Sequence, residues 1–413
     1  MRMKKIFLSL FVASACQLLF ASNGSVYSKY GIGEISEFIS GRSVGVGSSG
    51  IALLGEAFIN QTNPAGLSTI SRTLFAGQYQ YSGNAMSDGA TKSFLNSGNL
   101  LGMALAFPVY TPKGIVVALG ITPYSSVGYS FKLNETRYGI QTEQAFTGSG
   151  GVTSAQISLS YNPITDLNVG LTAHYLFGAI HNDQALTYTG TTYFQSEYNQ
   201  KLSLNGFAIT LGGIYSGIDK ALNLSSTKNV KLGVTIFSGS SLSASRQVVS
   251  GLITGKDTTT LANQSVAIPF SVTAGIAWLR NNTIFTADVR FQNWDSFKMF
   301  GVHPAELQNS LRVGTGVEFL PTKEYFESYI EQISYRIGGY VNQTNIRLKG
   351  QSINEYFISG GVGLPLGLES RFNIALEYGI RGTTTSSLVK ETITRLTLSI
   401  TGSEMMFIQS PIE

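Results

Sequence analysis

The chain has 413 residues, 13% charged side chains and a formal net charge of +4. Globular proteins average about 25% charged residues, so an ordinary soluble surface is excluded, whereas 46 glycines, 20 tyrosines and 24 phenylalanines suit a β-structure with one face in lipid. The positive balance comes mostly from the first five residues, falls to about +1 without them and gives no support to a nucleic-acid partner.

In chain order, Arg2, Lys4 and Lys5 precede an uncharged apolar stretch from Ile6 to Val12, extending at most to Phe20, with small residues at Ala21, Ser22 and Gly24. This is the pattern of a secretory signal peptide, too short for a spanning helix of roughly 20 apolar residues; residues 1–21 are assigned to it. Ala13-Ser14-Ala15 before Cys16 resembles a lipobox without its usual Leu, and cleavage between Ala21 and Gly24 is the plainer reading. Cys16 is the single cysteine. A chain cut after it has no disulfide and no thiolate metal site, and no cofactor is expected.

Residues 22–71 do not alternate cleanly. They are rich in Gly and Ser, with short apolar stretches at Ile51–Leu54 and Phe58–Ile59, and their length suits a hatch folded inside a barrel. Gly45-Val46-Gly47-Ser48-Ser49-Gly50 matches G-x-G-x-x-G, but a dinucleotide site needs a surrounding βαβ unit, and none is visible. Small residues that let the backbone pack closely are the better account.

From residue 72 to 413 the pattern has period two. Leu167, Val169, Leu171, Ala173, Tyr175, Phe177 and Ala179 fall on one face, with Asn168, Gly170, Thr172 and His174 on the other. About fourteen such segments predict strands near 72–82, 98–109, 114–131, 148–162, 167–181, 198–217, 229–246, 266–280, 283–294, 308–320, 332–347, 354–365, 371–383 and 390–402. Connections after even-numbered strands are short (Tyr110–Lys113, Pro163–Asp166, Asn281–Asn282, Leu366–Ser370). Several after odd-numbered strands are predicted as long loops: 132–147, 182–197, 247–265 and 295–307. That asymmetry predicts an all-β, transmembrane antiparallel β-barrel in the outer membrane, with its short turns and both chain ends periplasmic. A soluble sandwich would use strands of about 5–6 residues and would not carry Lys231, Asp288, Arg290, Arg312, Glu318, Arg336, Glu377, Arg381 and Arg395 on its inner face. These charges read as a lumen lining that anchors the hatch, with Glu34, Glu37, Arg42 and Glu56 as partners, or that meets a charged ligand head group.

Gly120, Pro123 and Gly128 lie within the third strand, where Pro removes a ladder donor and Gly weakens the interior. The residues alone leave a bulge and a deliberate gap in the wall equally open. His174 and His181 are separated by an odd number and face opposite ways on one strand. With His303 in a loop, they offer neither a metal pair nor the assembled Ser, His and carboxylate of a hydrolase; the protein is not expected to be an enzyme.

Gly41-Arg42, the Gly-rich run, Ile51-Ala52 and Asn60-Gln61-Thr62-Asn63-Pro64-Ala65-Gly66-Leu67, followed at once by the first strand, resemble the long-chain fatty-acid and aromatic-hydrocarbon transporter family of outer-membrane proteins. Asn63-Pro64-Ala65 matches that family's hatch motif in kind and place, and Tyr27-Ser28-Lys29-Tyr30-Gly31-Ile32-Gly33 resembles the start of Bacteroidetes members or relatives. The resemblance implies a fourteen-stranded barrel, an N-terminal hatch and a lateral exit at a kinked third strand. It tips the reading of Gly120, Pro123 and Gly128 towards an opening. The expected function is passive uptake of hydrophobic small molecules such as fatty acids, by a barrel seated in outer-membrane lipid. Phe38, Ile39, Leu53, Leu54, Phe58 and Ile59 are candidate pocket walls. The alternative is a non-transporting barrel acting in protein secretion or surface attachment through a protein partner.

Overall fold

The computed structural model describes residues 24–36, 40–55, 57–137, 140–188, 194–224, 227–252, 255–321, 328–366 and 370–404. The leader assigned to residues 1–21, with Cys16, lies outside them, as do Glu37, Phe38, Ile39 and Glu56. No described helix is long and apolar enough to cross a membrane.

A short strand β1 (Glu34–Ile35) precedes the wall. The wall runs β2 (Thr73–Ser87), β3 (Lys92–Tyr110), β4 (Ile115–Arg137), β5 (Ile140–Ile164), β6 (Leu167–Tyr188) and β7 (Ser196–Tyr215). It continues with β8 (Val230–Phe237), β9 (Ser240–Leu252), β10 (Gly255–Ile268), β11 (Ser271–Arg280) and β12 (Thr283–Gln292). After the two-residue β13 (Lys298–Met299) come β14 (Ser310–Phe319), β15 (Ser334–Leu348), β16 (Gln351–Pro365), β17 (Arg371–Gly382) and β18 (Lys390–Glu404). Neighbours pair antiparallel, and β18 closes on β2 from Lys390↔Ser87 to Glu404↔Thr73.

The barrel is closed and has fourteen strands, because β8 with β9 and β10 with β11 are each one strand in two pieces. β7 pairs with both β8 and β9, while β11 pairs with β8 and β10 with β9. The breaks fall at Ser238-Gly239, where Gly239 has φ 72°, and at Pro269-Phe270. Pro cannot donate to a ladder and Gly is the residue that takes positive φ without strain.

The alternation has the expected cause. Phe207 is 76% exposed, Ile358 68% and Ile337 63%, all on the outer face, whereas Gln78, Thr172, Asn373 and Glu377 are buried inside. The outer belt faces lipid, and closure leaves no edge within it.

Three of the predicted long loops are corrected. Residues 132–147, 182–197 and 247–265 belong largely to hairpins: β4 and β5 pair out to Arg137↔Ile140, and β9 and β10 out to Leu252↔Gly255. β5 has 25 residues, against 10 in each of β11, β12 and β14. At about 3.3 Å per residue it is far longer than a tilted crossing needs, so β4 to β7, with β9 and β10, rise well beyond the lipid belt. There both faces meet water, and the ladder continues without the hydrophobic alternation that betrays it. The fourth, 295–307, is a loop interrupted by the short β13.

Candidate functional site

The described residues between 24 and 70 lie inside the wall, from Ser25 at the long-hairpin end to Ser68 at the short-turn end. Near the top, Ser25 caps a 3-10 turn at Val26–Lys29, and its hydroxyl donates to Glu391 at 2.8 Å. The helix α1 (Gly41–Gly45) follows, capped by Ser40. The G-x-G-x-x-G run leaves α1 against the wall: a Cβ on Gly47 (φ 71°) would lie 2.4 Å from the carbonyl oxygens of Thr315 and Gly339. On the facing wall, a Cβ on Gly338 would lie 2.3 Å from Gly47 N. Glycine on both sides is what permits backbone to meet backbone here.

Asn63 is fully buried and caps the 3-10 helix Pro64–Thr69, accepting from Ala65 N at 3.1 Å. Its amide donates to Ile51 O at 2.9 Å and to Gly213 O at 3.3 Å. Gly170 and Gly212 make room on the wall: a Cβ on Gly170 would sit 2.4 Å from Pro64 C, and one on Gly212 2.2 Å from Asn63 Oδ1. Asn63, Pro64 and Ala65 thus join the N-terminal segment to β6 and β7. Pro64 supplies the fixed φ that suits a first helical position.

Charges hold the segment higher up. Glu34 accepts from Arg395 Nη2 at 3.0 Å and from Arg381; Arg381 also meets Glu355 and, at 3.3 Å, Glu391. Arg42 reaches Glu318 at 2.8 Å, and Arg336 shares that carboxylate at 2.9 Å. Asp288 accepts from Gly50 N at 2.6 Å and Ile51 N at 2.9 Å. Glu34 and Arg42 therefore carry the anchoring role expected of them. The contacts that Glu34, Arg42, Gly50 and Ile51 make with the wall span more than 200 residues of sequence, and no sequence pattern pairs them.

At β4 the wall changes. β3 and β4 pair only from Tyr110↔Ile115 to Met103↔Ile121, although both strands run on. A register shift between Pro123 and Ser125 marks the bulge. Beyond it the β4 backbone faces the N-terminal segment: Glu34 and Ile35 pair with Ser126 and Ser125, Ser36 N donates to Tyr124 O at 2.9 Å, and Ser25 N to Gly128 O at 2.9 Å. Gly128 N in turn donates to the Ser28 hydroxyl at 2.9 Å. Gly120, lower down, faces Gln61 and Gln156. Of the three residues, Pro123 and Gly128 border the discontinuity and Gly120 lies on the paired side of it.

The lumen beside this stretch is filled. Ile32, Val127, Val152, Leu176, Trp294 and Phe297 form one buried apolar cluster with their neighbours. The large cavity, about 1340 Å³, lies at the short-turn end, with Leu53, Leu54, Phe58 and Ile59 in its lining. Leu53 and Phe58 also pack with Ala277, and Ile59 with Leu67 and Leu74. The cavity carries Lys231, Glu318 and Arg336, which the alternation placed inside without showing that they converge, together with Arg42 and Arg371.

His174 lies between Ser154 (3.1 Å at Nδ1) and Thr210 (2.9 Å at Nε2), with a hydroxyl where a hydrolase would have its orienting carboxylate. His303 meets Phe297 O at 3.0 Å. Among the described residues, no group of three or more His, Cys, Asp or Glu is arranged to hold a metal ion.

The sequence matches the family model described as BamG over residues 2–413. The chain belongs to the BamG family. Among curated proteins, a sequence search finds no match. Solved structures supply the fold relationship for this BamG-family barrel. The toluene transporter TodX of Pseudomonas putida superposes with a TM-score of 0.61 at 14% identity, over 91% of this chain and 100% of that one. A FadL homologue from Pseudomonas aeruginosa gives 0.59 at 12% identity, over 89% and 98%. A TodX deletion mutant titled a monoaromatic hydrocarbon channel gives 0.63 at 15%, over 88% and 99%. The likeness to these structures covers the fold as a whole, a closed antiparallel β-barrel.

Proposed function

We propose that this BamG-family barrel is a passive outer-membrane channel for hydrophobic small molecules, long-chain fatty acids among them, with a lateral exit at β4. The carrying observation is the β3–β4 ladder, which stops at Met103↔Ile121 and hands the β4 edge to the N-terminal segment. That segment serves as a hatch, residues 22–71, and the short-turn end is periplasmic. The fold relatives include a protein titled a toluene transporter, which supports the substrate class. Asn63, Pro64 and Ala65 form the hinge on which the hatch rests; Gly120, Pro123 and Gly128 frame the exit. Leu53, Leu54, Phe58 and Ile59 line the ligand's side of the hatch; Phe38 and Ile39 lie outside the described residues. An aliphatic ligand leaving water for apolar walls gains roughly 0.8 kcal/mol per CH₂, so no energy source is needed while the periplasm is kept depleted. The hatch is seated here, and transport requires it to leave the β4 edge.

Ile35 and Ser125 are direct register partners, at a spacing that suits a disulfide. Cells carrying Ile35→Cys with Ser125→Cys should lose oleate and toluene uptake on oxidation and regain it on reduction. Undiminished uptake through a verified cross-link sinks the lateral route, as does full uptake in Pro123→Ala.

A second reading is favoured by a different observation. The upper lumen is filled by packed side chains, and the far ends of β4 to β7, β9 and β10 stand beyond the lipid belt as a tall sheet, as a sealed barrel serving protein secretion or surface attachment requires. Under it, deletion leaves uptake intact and changes the set of surface proteins.

A further inference from the structure

We propose that Glu377 is a second seat for the Arg395 guanidinium: when the N-terminal segment leaves the wall and takes Glu34 with it, Arg395 turns to Glu377. The two carboxylates then make seated and released positions of the segment alternative resting states. The inference rests on the uptake reading only in needing the segment to move.

Glu377 projects from β17 into the lumen and is 3% exposed. Its carboxylate nevertheless has no hydrogen bond and no ion pair among the described residues. It borders a cavity of about 160 Å³ that Glu34, Arg312, Tyr340 and Arg395 also line. Burying a carboxylate without a partner is costly, and such a group calls for a physical reason. The neighbouring cations supply one. Arg381 meets Glu34, Glu355 and Glu391, so two wall carboxylates remain to it when Glu34 departs. Arg395 has an ion pair with Glu34 alone among the described residues, at 3.0 Å. It is the cation that release would strand, and Glu377 is the wall carboxylate beside it.

The turn is short. Glu377 and Arg395 are direct register partners on β17 and β18, which places their Cα atoms roughly 4.5–5.5 Å apart with both side chains on one face. Rotation of side chains alone carries the guanidinium from one carboxylate to the other, and the ladder is untouched. The surface beneath suits both positions. Arg395 lies over the Phe357 ring at 5.0 Å and donates to the Tyr340 hydroxyl at 3.3 Å. The two rings stack at 4.9 Å, and a Cβ on Gly379 would lie 2.5 Å from Phe357, so glycine there admits the ring. An aromatic face attracts a guanidinium wherever it rests on it. Arg312, the other cation within electrostatic reach of Glu377, is held over the Tyr340 ring at 3.9 Å. Stripping a buried guanidinium of its carboxylate is strongly destabilising; Glu377 removes that penalty from the released state and leaves the seated state unchanged.

The test is trypsin cleavage at Lys29 and Arg42, resolved by mass spectrometry, of the full-length protein in phosphatidylcholine nanodiscs, under conditions where the rate follows the open population. Glu377→Gln should slow cleavage at least tenfold, because the released state loses its ion pair. In an Arg395→Gln background the same substitution should change the rate by less than about threefold, since no guanidinium is left to turn. Glu377→Asp keeps the charge with a shorter reach and should slow cleavage at least threefold, a readout that stands even if Glu377→Gln fails to fold. Cleavage of a folded Glu377→Gln at the parent rate or faster, as a merely structural carboxylate predicts, overturns the proposal. So does slowing that persists without Arg395, which would mark simple repulsion between Glu377 and Glu34, or a parent rate in Glu377→Asp. Slowed cleavage with undiminished oleate and toluene uptake would uphold the exchange of partners and count against the uptake route alone.

Discussion

Replacing Glu34 by Gln keeps the side chain's shape and removes the charge that two guanidinium groups share. Arg381 would retain Glu355 and, at 3.3 Å, Glu391, but Arg395 would lose its ion pair at 3.0 Å. Removing one partner of a buried pair costs about 3–5 kcal/mol. Glu34 is about one-fifth exposed and Arg381 stays paired, so the lower end, about 3 kcal/mol, applies. That cost falls on the seated position of the N-terminal segment alone, because the barrel ladder is untouched. At 1.4 kcal/mol per tenfold, the displaced population rises about a hundredfold. Trypsin cutting at Lys29 and Arg42 reports it, since cleavage of a rapidly reclosing segment follows the open population. Cleavage there should accelerate about a hundredfold in Glu34→Gln while the barrel keeps its heat-modifiable gel mobility. A rate within about threefold of the parent would refute the assignment of Glu34 as the clamp.

Three further outcomes follow from the same contacts. Burial opposes ionisation of Glu34, but Arg381 and Arg395 outweigh it and hold the carboxyl below its usual range; the clamp is therefore complete at neutral pH and is lost only as pH falls through that lowered value. Hydrogen exchange over residues 25–36, corrected for intrinsic rates, should stay flat from about pH 7 to about pH 5, and a rise within that window would contradict it. Asn63→Ala removes a cap and two donated bonds and should cost about 2–4 kcal/mol, read as a lower urea midpoint for release of residues 24–70. Gly338→Val places its Cβ 2.3 Å from Gly47 N, backbone that cannot yield, and should unseat the segment at a cost of about 1–3 kcal/mol or more, with trypsin sensitivity as the readout.

The barrel was legible in the sequence because lipid and lumen impose opposite demands on successive residues of every crossing strand. Phe207, Ile337 and Ile358 on one side and Thr172, Asn373 and Glu377 on the other follow from parity alone. Asn63-Pro64-Ala65 stood out only through the family resemblance; that Asn63 caps Pro64–Thr69 and donates to Ile51 O and Gly213 O is set by the fold. The hairpins beyond the lipid were illegible because water wets both faces there; residues 132–147 show no alternation, although hydrogen bonds carry β4 and β5 out to Arg137↔Ile140. Period two also says that Lys231, Glu318 and Arg336 point inward but not which of them meet. Register and closure settle that, bringing Glu34 to Arg381 across 347 positions and Glu318 to both Arg42 and Arg336. Pairing between distant charges depends on where strands end and how the sheet closes, quantities that no local pattern of residues encodes.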